Sequence, residues 1–202
     1  AVRTFDEDAL GTAPPGFTWP DYSVYHPGRK AGENGFSIDG NGVGHINHGF
    51  YHFTEYVSPL SAAESFAEIE SYPIVDNATW LDTEMRKAGD EARSQGQYAQ
   101  VFVGHMYENA WQVRGYEPFL ADLLLRRDWA ELLLDRFRDN ALCGAVAAAK
   151  ADYDCIAFGD DVANQNALMF SPSVWREVMK PRWAGVIAAA RAIKPSVHIW
   201  YH

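Results

Sequence analysis

Hydrophobic and polar positions fall into two regimes along the chain, and the change between them predicts the fold class. The first 60 residues show little helical periodicity. Pro14-Pro15-Gly16, His26-Pro27-Gly28 and Gly40-Asn41-Gly42 break them into turns. Within this stretch Gly49–Val57, rich in aromatics, reads as a strand and one arm of a hairpin. Helical signals begin at Ser61-Ala62-Ala63-Glu64, whose Ser and Glu are spaced for a capping box. That helix is expected to end near Tyr72-Pro73, and a polar helix to cover about Asp82 to Ser94. Tyr98–Gly104 then reads as a buried strand, and Glu117–Arg127 as a short helix. Asp128 can cap a longer helix to about Lys150, with Trp129, Leu133, Phe137, Ala141, Gly144 and Ala148 at helical spacing. Asp154–Gly159 is a second apolar strand. Ser171-Pro172 opens a helix whose stripe runs through Val174, Trp175, Val178, Met179, Val186, Ile187 and Ala190, kinked but not ended by Pro181. Val197–Tyr201 is the third strand.

Strand, helix, strand, helix, strand is the order of parallel βαβ units, an α/β fold whose strands are covered on both faces. Residues 1–60 are expected to be a loop-rich elaboration with a hairpin, and 61–202 a partial β/α barrel, one domain overall. Three parallel strands cannot close an eight-stranded barrel. A small open sheet is the alternative, but a chain ending on an uncovered strand, with no initiator Met, reads as a fragment trimmed at its C-terminal side and at its N-terminal side.

Composition narrows the partners. The 202 residues carry 17 Lys and Arg against 27 Asp and Glu, a net charge of −10 without a basic stripe, which argues against a nucleic-acid partner. Two cysteines, Cys143 and Cys155, give no disulfide framework and stand near no obvious base, so a thiol nucleophile is not expected. The sequence offers neither a long apolar span nor a signal peptide, and the expected location is cytoplasmic.

In parallel α/β folds, chemistry gathers where strands end and loops begin. The first such end carries His105, Glu108, Asn109 and Arg114, the second Asp160, Asp161, Asn164 and Gln165, the third His198, Tyr201 and His202. Adjacent carboxylates at Asp160 and Asp161 would repel one another unless a cation, a donor or a proton is shared. They read as a general acid or base, a substrate clamp or a metal ligand, or else as a helix cap. His202 could ligate metal or move a proton in the same mouth. His45, His48 and His52 lie in a loop-rich region with no helix to align them and are expected to face solvent or the hairpin. Trp129 and Trp175 belong to helical stripes, whereas Trp111 is expected in a loop lining a pocket. Gly40–Gly44 lacks the strand and helix that a phosphate loop needs.

The series Phe158-Gly159-Asp160-Asp161…Gln165, Ser171-Pro172…Trp175 and Lys180-Pro181-Arg182 resembles the uroporphyrinogen decarboxylase superfamily, above all its methyltransferase-like members. Ile38–Val43 is similar to their D-x-W-G-V segment without its Trp. Ser58-Pro59-Leu60 with Tyr72–Asp76, and Arg114-Gly115-Tyr116-Glu117, match further motifs in order. The resemblance implies a (β/α)8 TIM barrel, incomplete here, with its pocket at the strand C-termini. It implies methyl transfer or decarboxylation of a small molecule. For methyl transfer it implies zinc, with His202 as one ligand, and a corrinoid-protein partner. From their places at the strand ends, catalytic roles are expected for Asp160, Asp161 and His202, and substrate binding for His105, Glu108, Asn109, Arg114, Gln165 and Tyr201. True porphyrinogen decarboxylases of porphyrin metabolism carry an FDSW-like segment where Phe158–Asp161 stands, so that activity is the weaker fit. Two other readings come from outside the resemblance: a barrel glycosidase pairing Asp160 or Asp161 with Glu108, and a non-catalytic binding module.

Overall fold

Cys155–Phe158, the most continuously apolar short run, forms the centre of a parallel sheet and is buried at all four positions. In the computed structural model, which describes residues 2–5, 17–49, 54–76 and 78–202, the chain divides into two compact units. The first comprises 1–17, 76–107 and 135–202, the second 18–75 and 108–134. Residues 50–53 of the expected Gly49–Val57 strand, His52 among them, lie outside the described residues.

The first unit holds β1 (Val2–Phe5), β5 (Tyr98–Phe102), β6 (Cys155–Phe158) and β7 (His198–Tyr201) in the spatial order β1-β5-β6-β7, every pair parallel. The architecture is α/β as expected, and β1 is a fourth strand that the sequence did not announce. Among the described residues this sheet is open and no barrel closes. Cys155 stands opposite Gln100 on one side and His198 on the other, so all three strand ends emerge together. The Asp154 carboxylate, one residue before β6, accepts the Ala99 N–H at 2.8 Å and ties the start of the sheet.

Helices follow the apolar stripes with shifted ends. The helix before β5 covers Ala78–Ser94, starting four residues earlier than its polar signal. The long helix Arg127–Lys150 buries Phe137, Ala141, Ala145 and Ala148 on one face. A Cβ built on Gly144 would meet Val103 at 3.3 Å, so this glycine lets the helix approach the end of β5. Past the helix, Asp152 adopts φ 61°, and the Lys194 ammonium donates to the carbonyls of Asp152 and Tyr153 at 3.0 and 2.8 Å. The final helix opens at Pro172–Val174 with Ser171 capping the Val174 N–H. It widens to a π turn over Trp175–Met179 and continues as Lys180–Ile193. Pro181 has no N–H and crowds the carbonyl four residues back, so the chain relaxes into a turn where the Lys180 N–H reaches Trp175 O instead. The Val178 carbonyl is recovered by the Arg182 guanidinium at 2.7 Å. The expected kink is therefore a π segment ahead of the proline.

The second unit is built on an antiparallel sheet of β2 (Phe36–Ile38), β3 (Gly44–Asn47) and β4 (Thr54–Val57). The expected hairpin is present, with β3 as the partner of β4. The capping box sits one turn later than expected: Ser65 and Glu68 form it at the start of α1 (Phe66–Ser71). Ser61 instead closes a turn on the Ser58 carbonyl, and its own carbonyl accepts from Arg114. Trp111, expected in a loop, belongs to the helix Tyr107–Arg114. After Gly115, whose φ of 96° suits only glycine, comes the helix Tyr116–Leu125. Among the described residues, no helix is long and apolar enough to cross a membrane.

Candidate functional site

The C-terminal ends of β5, β6 and β7 deliver His105, Asp160–Asp161 and Tyr201–His202, and the structure separates the two aspartates by role. Asp160 is 3% exposed. Its Oδ1 accepts the backbone N–H groups of Met106 and Tyr107 at 2.9 and 2.7 Å, and its Oδ2 accepts the indole N–H of Trp183 at 2.9 Å. All three partners donate, so the carboxylate acts as an acceptor throughout. It caps the helix that follows the neighbouring strand β5, although the sequence suggested a cap on the helix after its own strand. Trp183 is held in turn by stacking on Phe158, with centroids 4.5 Å apart and planes 6° from parallel.

His105 donates Nδ1–H to the Gly159 carbonyl at 2.6 Å; a carbonyl only accepts, which fixes the proton on Nδ1. Its ring rests 4.9 Å from that of Phe102, and its nearest ligand-type nitrogen lies within 4.8 Å of an Asp160 carboxylate oxygen. Two latches thus join residues 105–107 to residues 159–160. They bind the ends of β5 and β6 into one hydrogen-bonded rim.

Asp161 points the other way and is mostly exposed. Its Oδ1 pairs with His202 Nδ1 at 3.1 Å, both side chains being about three-fifths accessible (62% and 59%). The His202 N–H donates to the Phe158 carbonyl, extending the β6–β7 ladder by one residue. A Cβ on Gly159 would sit 2.6 Å from the His202 Cβ, so only glycine lets the histidine lie across the end of β6. Tyr201 packs edge-on against Phe158 at 5.6 Å and Trp183 at 6.1 Å. Gln165 is exposed at the tip of a small loop, where Ala163 bridges Leu168 and the Asn164 side chain accepts from the amides of Asn166 and Ala167.

Glu108, Asn109 and Arg114 belong to the second unit. Glu108 and Asn109 are half-buried in the first turns of their helix. Arg114 is fully buried, donating from Nε to Asp122 at 2.7 Å and from Nη1 to the Leu60 carbonyl at 2.5 Å. Asp122 takes a second guanidinium from Arg126 at 2.8 Å. The Arg114 side chain is thereby committed to holding its own unit together. Cys155 is buried in β6, and burial pushes its thiol above the ordinary range, away from nucleophilic use.

Two contributors were missed in the sequence: Trp183 and Gly159. Trp183 was legible in principle, because Met179, Trp183, Val186 and Ala190 share a helical face. Nothing local pointed to its bond with Asp160.

Against known proteins, no family model matches the chain and no curated protein matches it. Among solved structures the fold is shared with a methyltransferase. That protein, the methyltransferase from Methanosarcina mazei, superimposes with a TM-score of 0.54 at 17% identity over 74% of this chain. The match spans 42% of the methyltransferase's own length. At that identity the likeness is one of fold.

Proposed function

We propose that this chain carries part of a small-molecule methyltransferase related to the uroporphyrinogen decarboxylase superfamily, with Asp161 and His202 handling the acceptor's proton. One observation carries the reading: a carboxylate–imidazole pair stands at the C-terminal end of a parallel sheet whose fold is shared with a methyltransferase. The sequence motifs around Gly159–Asp161 and Lys180–Arg182 support the same family, and with it a (β/α)8 barrel as the complete architecture. Asp161 accepts Nδ1–H, leaving the lone pair on Nε2. That nitrogen takes the proton of an acceptor such as a thiol, and Asp161 steadies the resulting imidazolium. The thiolate sulfur then bonds to the methyl carbon, and the old bond to the donor breaks with its electron pair left on the donor. A corrinoid protein is the donor the family resemblance suggests.

The zinc that the resemblance also suggests needs three or four protein ligands. Among the described residues His202 belongs to no cluster of three candidate donors, and no step is routed through the metal. Decarboxylation is less favoured, because Asp160, which would hold the substrate there, is buried and engaged by three N–H groups.

Methyl transfer from methylcobalamin to a panel of small thiols, followed by loss of the methyl–cobalt absorbance, tests the reading. Turnover is expected, falling about a hundredfold in His202→Ala, in the range of a lost general base. It should fall in Gly159→Ala as well, because the added Cβ displaces His202. Absence of turnover with every thiol, with and without added zinc, refutes methyl transfer.

A further inference from the structure

The second unit contains a differently built polar site, at the turn joining β2 to β3. Asp39 begins that turn. Its Oδ1 accepts the N–H groups of Asn41 and Val43, each at 2.9 Å, and its Oδ2 lies 2.8 Å from His45 Nε2. A carboxylate facing a ring nitrogen places the proton on Nε2 and leaves the lone pair on Nδ1. Among the described residues His45 Nδ1 has no hydrogen-bond partner, and the side chain is 27% exposed.

The turn is held far more firmly than a hairpin turn requires. Two of its successive carbonyls accept from side chains: Tyr72 Oη donates to Asn41 O at 2.6 Å, and His26 Nε2 to Gly42 O at 2.8 Å. Tyr22 Oη stands 3.3 Å from the preceding carbonyl, Gly40 O, and gives its proton to Pro73 O at 2.7 Å. Gly42 has φ 79°, and a Cβ there would lie 2.2 Å from the Tyr72 hydroxyl. Buried aromatic residues, themselves fixed in the unit's core, therefore set the position of Asp39 and through it the ring of His45. Such over-determination is expected where a side chain must be presented in one orientation.

What stands in front of the imidazole is aromatic. The Tyr56 ring meets His45 edge-on at 5.3 Å; Trp111 meets Tyr56 at 5.3 Å, and Tyr116 meets Trp111 at 5.5 Å. Tyr56 and Tyr116 are each about two-fifths exposed (41% and 40%), and the Tyr56 hydroxyl has no partner among the described residues. The Tyr56 phenol is pushed above its usual range by burial, then by the charges of Glu108 and Asp39, so it stays a donor at neutral pH. Both charges acting on the phenol are carboxylates, and they disfavour an anionic ligand beside it.

We propose that Asp39, His45 and Tyr56 form a proton-accepting binding site for a small uncharged molecule with an aromatic body and a protic hydroxyl. The hydroxyl donates to His45 Nδ1, and the body lies along Tyr56 and Trp111. If the proton crosses, Nδ1–H forms, the ligand O–H breaks with its electrons left on oxygen, and Asp39 offsets the imidazolium charge. This site stands apart from the methyl-transfer reading and does not depend on it.

Phenol is the probe, and the imidazole nitrogens are read by long-range proton–nitrogen NMR on the full chain. In the unliganded protein His45 should show a protonated Nε2 and a bare Nδ1. Phenol should shift Nδ1 saturably while leaving the exposed His48 unmoved. His45→Gln should weaken binding about tenfold, the equivalent of one good hydrogen bond. Asp39→Asn should abolish the tautomer preference and weaken phenol binding with it, the second of which a merely structural hairpin histidine would not show. Should His45→Gln disturb the sheet, Tyr56→Phe supplies the second comparison, with weakened phenol binding and intact amide dispersion. An Nδ1–H tautomer in the unliganded protein, equal shifts at His45 and His48, undiminished binding in the variants, or benzoate binding as well as phenol would each overturn the proposal.

Discussion

Replacing Asp160 by Ala separates a structural keystone from a chemical group. The substitution strips a buried acceptor from three donors: the Met106 and Tyr107 amides, on residues with no solvent exposure, and the Trp183 indole N–H, on a residue 3% exposed. Each buried donor left unmade costs about 1–3 kcal/mol. The two amides share one oxygen and sit at one helix start, where loss of a cap costs about 0.5–2 kcal/mol, so they count together. The expected destabilisation is about 3–5 kcal/mol, a large share of a small domain's stability. Asp160→Asn keeps a carbonyl for the two amides but turns an NH2 toward the indole donor, and should cost about 1–3 kcal/mol. Trp183→Phe removes the indole N–H while largely keeping the stack on Phe158. Combined with Asp160→Asn, it should recover part of the Asn penalty, a coupling of about 1 kcal/mol. Urea unfolding followed by far-ultraviolet circular dichroism gives these differences without relying on the tryptophan signal. An Asp160→Ala cost below about 1 kcal/mol at unchanged m-value would refute the latch, since a buried carboxylate with three donors cannot be removed so cheaply.

Two further outcomes follow from titratable groups in the first unit. Cys155, buried in β6 with its thiol raised by burial, should resist a disulfide reagent at pH near neutrality in the native protein and react on unfolding; prompt native labelling by mass spectrometry would contradict its placement. Asp152 is held below the usual carboxylate range, first by the hydrogen bond from Lys194 and then by its charge. A lowered folded value means the stabilisation is present above the unfolded value of about 3.9 and is lost as pH falls through the lower folded one. Asp152 is well exposed, so the effect should be small and salt-screened: Asp152→Asn should lower Tm slightly at neutral pH in low salt and not at all below about pH 3.

The parallel half of the fold was legible because its signals are local. Apolar runs at Tyr98–Phe102, Cys155–Phe158 and His198–Tyr201, with helical stripes between them, dictate βαβ units whatever the rest of the chain does. Ser171-Pro172 likewise opened a helix as its chemistry requires. What failed did so where a local signal had equals or lay elsewhere. Ser61-x-x-Glu64 and Ser65-x-x-Glu68 fit the same capping pattern, and the choice fell to the second because Leu60 and Ser61 are held by Val113 and Arg114, more than fifty positions away. The helix at Tyr107 was hidden because its cap is Asp160, 53 residues further on.

Asp160 and Asp161 show the division most clearly. The sequence by itself determined that two carboxylates stand at the end of a buried strand. It also determined that such a pair cannot be buried together without donors or counter-charge. Only the tertiary structure decided which one turns inward. Successive residues leaving a strand face opposite sides, and the inward side is the one where an indole 23 residues later and two amides from the neighbouring βα junction converge. Asp161 turns outward, where it pairs with His202. The same reason kept the Asp39–His45 pair out of sight in the sequence: its orientation is set by the side chains of Tyr72 and His26, which chain connectivity separates and only folding brings together.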